Sequence, residues 1–131
     1  MNNTYLIAPI GKRFSAQFMD EMIGFIVGYG SFLGLGDVVS YDLAFMAFVS
    51  IVLLYTLLAD GLFNGQSIGK KIMGIYVVSS DKELPCSFKK SFIRNSFYLL
   101  GMIDVIFLVL RKDRRRLGDL IAKTKVVIRV P

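Results

Sequence analysis

The chain has 131 residues, one domain's worth, and 54% of them are hydrophobic, above the ~45–50% usual for a soluble domain, so a membrane protein is expected. Its net charge of +6 sits on Lys and Arg placed between apolar blocks; that is the pattern of membrane-protein loops facing anionic lipid headgroups, and it argues against nucleic acid as a partner. The lone Cys86 excludes an internal disulfide, and one thiol without any His excludes a tetrahedral zinc site, so no metal and no cofactor are expected.

In chain order, the opening "MNNTYLIAPIGKR" lacks the pattern of a cleavable signal, so the first apolar block is expected to stay attached. Three such blocks, at 14–35, 43–63 and 92–110, each approach the ~20 residues a helix needs to cross a bilayer. Lys12 and Arg13 precede the first block and Lys70, Lys71, Lys82, Lys89 and Lys90 follow the second, whereas "GDVVSYD" between them has no cation. The positive-inside rule then places the N-terminus and the long connector in the cytoplasm. A third full crossing would put the basic run "RKDRRR" outside. The conflict disappears if the third block is re-entrant, turning near Gly101 and Met102; a plain third span is the alternative. "KIMGIYVV" at 71–78 and "TKVVIRV" at 124–130 read as strands, and an isolated strand needs a partner. The expected fold is thus an all-α integral membrane protein, a single domain over 1–131. It has two transmembrane helices, a third hydrophobic segment, and a small cytoplasmic, hairpin-like pairing of 71–78 with 124–130.

Charged residues inside these blocks are the candidate functional groups, because an ionisable side chain at membrane depth needs a partner. Arg13 and Asp20 are seven apart, about 20° out of register on a helix, and so share a face, with Gln17 between them. Gly24 and Gly28 continue that face as a small-residue stripe suited to close helix packing. Asp60 lies near the end of the second block at a depth comparable to Asp20. Asp20 and Asp60, with Arg13 near as the partner of Asp20, are expected to form an acidic pocket open to the cytoplasm, able to hold a proton or a monovalent cation. A structural charge network locking the helices is the competing reading.

"NGQSIGKKIMGIYVV" fails as a phosphate loop: Gly65 to Gly69 is one residue short, and Lys71 stands where a hydroxyl is required. It reads instead as a glycine-rich exit from the membrane. "KRFSAQFMDEMI", "GQSIGKKIMGIYVV", "FIRN" and "RRRLGDLIAKTKVV", in that order, give the chain a pattern that resembles the RDD family of bacterial membrane proteins. The resemblance makes Arg13, Asp20 and Asp119 the name-giving residues and implies the bacterial inner membrane. The chain departs from it at Gly118, where members often carry His. If the C-terminal segment folds back under the membrane, Arg13, Asp119, Arg94 and Asp104 are expected to make a cytoplasmic ionic cluster. The function the resemblance implies is transport of an undefined set of ligands, with some members similar to sodium/proton antiporters, so monovalent cation/proton antiport is the expectation. Two or three spans enclose no pathway alone, so a homo-oligomer is expected, with Gly24, Gly28, Gly30 and Gly34 as contact points. A non-transporting accessory or scaffold protein is the alternative. No enzyme is expected, since no nucleophile, base and orienting group stand in a recognisable spacing.

Overall fold

The computed structural model describes residues 4–130. The elements run β1 (Thr4–Ile7), α1 (Ile10–Leu35), α2 (Tyr41–Leu58), α3 (Ile68–Met73), β2 (Tyr76–Ser79), α4 (Phe88–Ser96), α5 (Met102–Leu110), α6 (Leu117–Ile121) and β3 (Thr124–Val130), with 3-10 turns at Ala59–Gly61 and Phe97–Leu100. The fold is mostly helical, not all-α.

Among the described residues, two helical stretches, Ile10–Leu35 and Tyr41–Gly61, are long and apolar enough to cross a membrane. They pack against each other through the small-residue face of α1. A Cβ added at Gly28 would stand 2.9 Å from Val52 Cγ2 and 3.0 Å from Phe48 Cδ2, and one at Gly24 would stand 3.3 Å from Tyr55 Cδ1. Gly30 and Gly34 meet nothing within 4 Å, so they take no part in this contact. Only 17% of the most apolar stretch of either helix is buried within the chain, and Phe18, Phe25, Ile26, Met46 and Leu54 stand exposed. Faces of that size and composition need cover other than water.

The third apolar block is not one straight helix. Phe88–Leu100 and Met102–Leu110 meet at 105°, the geometry of a broken span or a re-entrant loop. Gly101 makes the break with φ 58° and ψ −111°, a backbone state that residues with a Cβ avoid. At the start of this segment Ser87 caps α4, its hydroxyl accepting from the Lys90 N–H at 3.4 Å.

The expected strand at 71–78 is helical over its first half. Ser67 caps α3 by accepting from the Lys70 N–H, and Gly74 closes it in the left-handed conformation, so strand geometry begins only at Tyr76. β2 pairs antiparallel with β3, from Tyr76 opposite Val127 to Ser79 opposite Thr124. β3 pairs on its other edge with β1, from Thr4 opposite Val130 to Ile7 opposite Val127. The result is a three-stranded sheet of order β1-β3-β2, not a hairpin-like pair. Ala8, Ile75, Val77, Cys86 and Val126 form a small core against Ala16 of α1. Burial pushes the Cys86 thiol up to about 11, which leaves it inert.

Two outcomes follow from this packing. Gly28→Val should drive a branched side chain into Val52 and Phe48 and lower stability by about 1–3 kcal/mol, read by thermal unfolding in lipid nanodiscs. In sealed vesicles, Lys12→Cys and Lys112→Cys should react with an impermeant maleimide from one side and Asp37→Cys only from the other. Labelling of Lys112→Cys from the side of Asp37→Cys would mean that the bent segment crosses.

Candidate functional site

Among the described residues, eight charged side chains are buried where the helices meet the sheet: Arg13, Lys70, Arg94 and Arg116 against Asp20, Asp60, Asp104 and Asp119. Charges are taken out of water at a cost of several kcal/mol each unless paired, and here seven of the eight are paired in an alternating chain.

Asp119, in the first turn of α6, is its central acceptor. Oδ2 accepts from Arg13 Nη2 at 2.7 Å and from the Arg116 backbone N–H at 3.2 Å, while Oδ1 accepts from Arg94 Nε at 2.8 Å. Burial by itself would raise the Asp119 carboxyl, but the guanidiniums of Arg94, Arg116 and Arg13 outweigh it and hold the group well below the usual carboxylate range. Arg94, from α4, then reaches across to Asp60 Oδ2 through Nη1. Asp60 sits in the 3-10 turn that ends the second apolar helix, where it also accepts from Asn95 Nδ2 at 3.1 Å and from Lys70 Nζ. Asn95 and Ser91 additionally donate to the Leu57 carbonyl and so tie α4 to the end of α2. Asp104, at the start of α5, accepts from the Gly118 N–H at 3.2 Å through Oδ1 and faces Arg116 Nη1 at 3.6 Å with Oδ2.

Arg13, Asp119, Arg94 and Asp104 therefore lie in one cluster. Arg13 and Asp20 do not pair. Arg13, in the first turn of α1, turns to Asp119 and the Arg114 carbonyl, while Asp20, two turns further on, is held by other donors. The Tyr55 hydroxyl donates to its Oδ1 at 3.0 Å, the Gly69 N–H to the same oxygen at 2.8 Å, and the Ser67 hydroxyl to Oδ2. All three are neutral. Asp20 and Asp60 face the same small cavity of about 10 Å³, lined also by Gln17, Thr56, Lys70 and Asn95. They are not a bare carboxylate pair, because the Lys70 ammonium is bonded to Asp60. Gln17 Nε2 donates to Glu21 Oε1 at 2.9 Å, along one face of α1.

Backbone contact without side chains makes the cluster possible. A Cβ at Gly69 would stand 2.3 Å from the Ala16 carbonyl, and one at Gly118 would stand 2.0 Å from the Arg94 carbonyl. These glycines bring their N–H groups onto Asp20 and Asp104. The close approach also accounts for Gly at 118 in this chain: a larger side chain there requires α4 and α6 to separate.

Lys70, Arg116, Asn95, Tyr55 and Ser67 join the cluster although no sequence pattern marks them as candidate site residues. The positive-inside pattern counts Lys70 only among the cations of the long connector. The available signal was Ser67 three residues before it and Gly74 four after it, the start and stop of a short helix that turns Lys70 inward.

Two unburied apolar helices joined at one end by a buried, alternating charge network define a small, mostly helical protein with two stretches long and apolar enough to cross a membrane. The sequence model of the RDD family matches residues 7–123, and the chain belongs to that family, whose members are membrane proteins. Over 89 residues it is 37% identical to the uncharacterized protein YckC of Bacillus subtilis (strain 168), covering 62% of this chain and 59% of that one. No solved structure matches.

Replacing Arg94 by Ala leaves two buried carboxylates short of a cation and should cost about 3–5 kcal/mol, measured by unfolding in nanodiscs. Arg13→Ala and Asp119→Ala remove the same bond, so their double variant should lose clearly less than the sum of the two. Because the Asp119 pKa is depressed, its contribution is complete above the unfolded-state value near 3.9 and is lost as pH falls toward the folded value. The stability gap between the parent chain and Asp119→Asn should therefore stay flat from pH 7 to about pH 5 and close only in stronger acid.

Proposed function

We propose that the chain is the protomer of a small exchanger of protons for monovalent cations, acting as a homo-oligomer in the bacterial inner membrane with its N-terminus in the cytoplasm. One observation carries this reading: a buried ammonium, Lys70, bonded to Asp60 and bordering a cavity whose other polar lining comes from Asp20, Thr56, Gln17 and Asn95. Burial pushes the Lys70 amine below its ordinary value, with Arg94 and Arg116 adding to the effect and Asp60 opposing it. While protonated, Lys70 neutralises Asp60. When its proton leaves to water, two carboxylates face a space the size of a single water molecule, bordered by the Thr56 hydroxyl and the Gln17 and Asn95 amides, groups that carry oxygen ligands of the kind that bind hard cations. A monovalent cation then restores the charge that the proton removed, and reprotonation of Lys70 expels it. The proton and the cation exclude one another at the site, which is what coupled exchange requires.

The competing reading, an accessory protein with a structural network, is favoured by the close donors that every carboxylate of the cluster already has. The two differ at Lys70→Arg, which keeps the charge but does not titrate in the working range. In liposomes loaded with a pH-sensitive dye, addition of sodium, lithium or potassium should drive proton movement that grows as pH rises and Lys70 releases its proton. Asp20→Asn and Lys70→Arg should each abolish it. A folded, oriented preparation that moves no protons with any of the three cations favours the accessory reading.

A further inference from the structure

Besides Asp20, Asp60 and Lys70, the small cavity between the helices is bordered by three neutral polar side chains, Gln17, Thr56 and Asn95. Each of them spends its hydrogens elsewhere. Gln17 Nε2 donates to Glu21 Oε1 at 2.9 Å. Asn95 Nδ2 donates to Asp60 Oδ2 at 3.1 Å and to the Leu57 carbonyl at 3.4 Å, and the Thr56 hydroxyl donates to the Val52 carbonyl at 3.0 Å. Carboxylates and carbonyls only accept, so these contacts fix which end of each amide is nitrogen and where the hydroxyl proton lies. What remains uncommitted is a set of acceptors: Gln17 Oε1, Asn95 Oδ1 and the lone pairs of Thr56 Oγ. Among the described residues no donor reaches either amide oxygen, although Asn95 is only 5% exposed. A single water brings two hydrogens to three such groups, whereas one cation serves all of their oxygens at once.

Glu21 sets the direction of one of these acceptors. An amide and a carboxylate four residues apart on a helix form an ordinary contact; what singles this pair out is the other end of the amide. Glu21 does not line the small cavity itself but borders a neighbouring apolar groove with Phe48, Val52 and Tyr98, so it acts on the cavity through Gln17. Without an acceptor at position 21 the amide is free to turn. Its N–H would then face the same space, where a donor repels a cation and bonds a carboxylate instead.

We propose that Gln17 is a ligand of the exchanged monovalent cation through Oε1, and that Glu21 is the positioning residue that keeps this oxygen, and not the amide nitrogen, toward the site. The inference takes the site from the exchange reading above, but it concerns binding, which is measurable without proton movement.

The test follows cation binding to the full chain in nanodiscs, at a pH high enough for Lys70 to have released its proton. The readout is the rise in Tm with sodium, lithium or potassium chloride over choline chloride at equal ionic strength. At least one of the three should stabilise the parent chain in a saturable way. Gln17→Leu and Glu21→Leu should each raise the half-saturating concentration about tenfold, the value of one charged contact. The double variant should do no more than either alone, because both changes remove the same oxygen from the site. Glu21→Gln still offers Gln17 a carbonyl to donate to and should restore the parent concentration. A purely structural pair would instead move Tm in choline and leave the half-saturating concentration where it was. Parent affinity in Glu21→Leu would overturn the proposal, as would a weakening that persists in Glu21→Gln, which would make the charge of Glu21 the cause. The absence of saturable stabilisation by all three cations would overturn it too. Saturable binding without proton movement in dye-loaded liposomes ends the exchange reading and leaves this one standing, and proton movement with unchanged affinity in Glu21→Leu does the reverse.

Discussion

The arrangement of helices depends on one guanidinium. Arg94 is fully buried and holds Asp60 with one edge and Asp119 with the other; Asp119 in turn holds Arg13. Through these contacts the end of α2, the start of α6 and the first turn of α1 are fixed around α4. Such a chain of buried charges contributes little net stability against an apolar alternative of equal volume. It does contribute position. Between helices surrounded by lipid there is no hydrophobic drive to choose one contact over another, so polar contacts and close packing decide the register.

Close packing is the other half of the same design. Gly28 lets α1 lie against Val52 and Phe48 of α2, and Gly69 and Gly118 let backbone amides reach carboxylates at the base of the bundle. The upper contact is apolar and the lower one ionic. The sheet then closes the base, its central strand β3 hydrogen-bonded on both edges.

The apolar helices were legible because they rest on composition and length, which the bilayer reads directly. The break at Gly101 was legible because a charge conflict demanded a turn and only a glycine there could supply it cheaply. The meeting of Arg13 with Asp119 could be anticipated once residues 124–130 were placed beside a strand from the long connector. Other features were hidden for physical reasons. Lys70 and Lys71 are identical in sequence, and only the phase of a six-residue helix turns the first inward. The donors to Asp20 come from Tyr55, 35 positions away, and from Ser67 and Gly69, where no local pattern distinguishes a donor from a turn residue. β1 was overlooked because its four residues precede a basic pair and read as an approach to the first helix, although Thr4, Tyr5 and Ile7 all favour strands.

The pairing of Arg13 with Asp119 spans 106 positions of the chain, and β1 reaches its partner only when β3 exists. A ribosome delivers these pieces in order. The first helix is therefore made, and must find its place, with its cation unanswered until nearly all of residues 4–130 have emerged. An unpaired guanidinium is costly to take out of water, so the start of α1 reaches its final burial only after α6 has been made and Asp119 is in place.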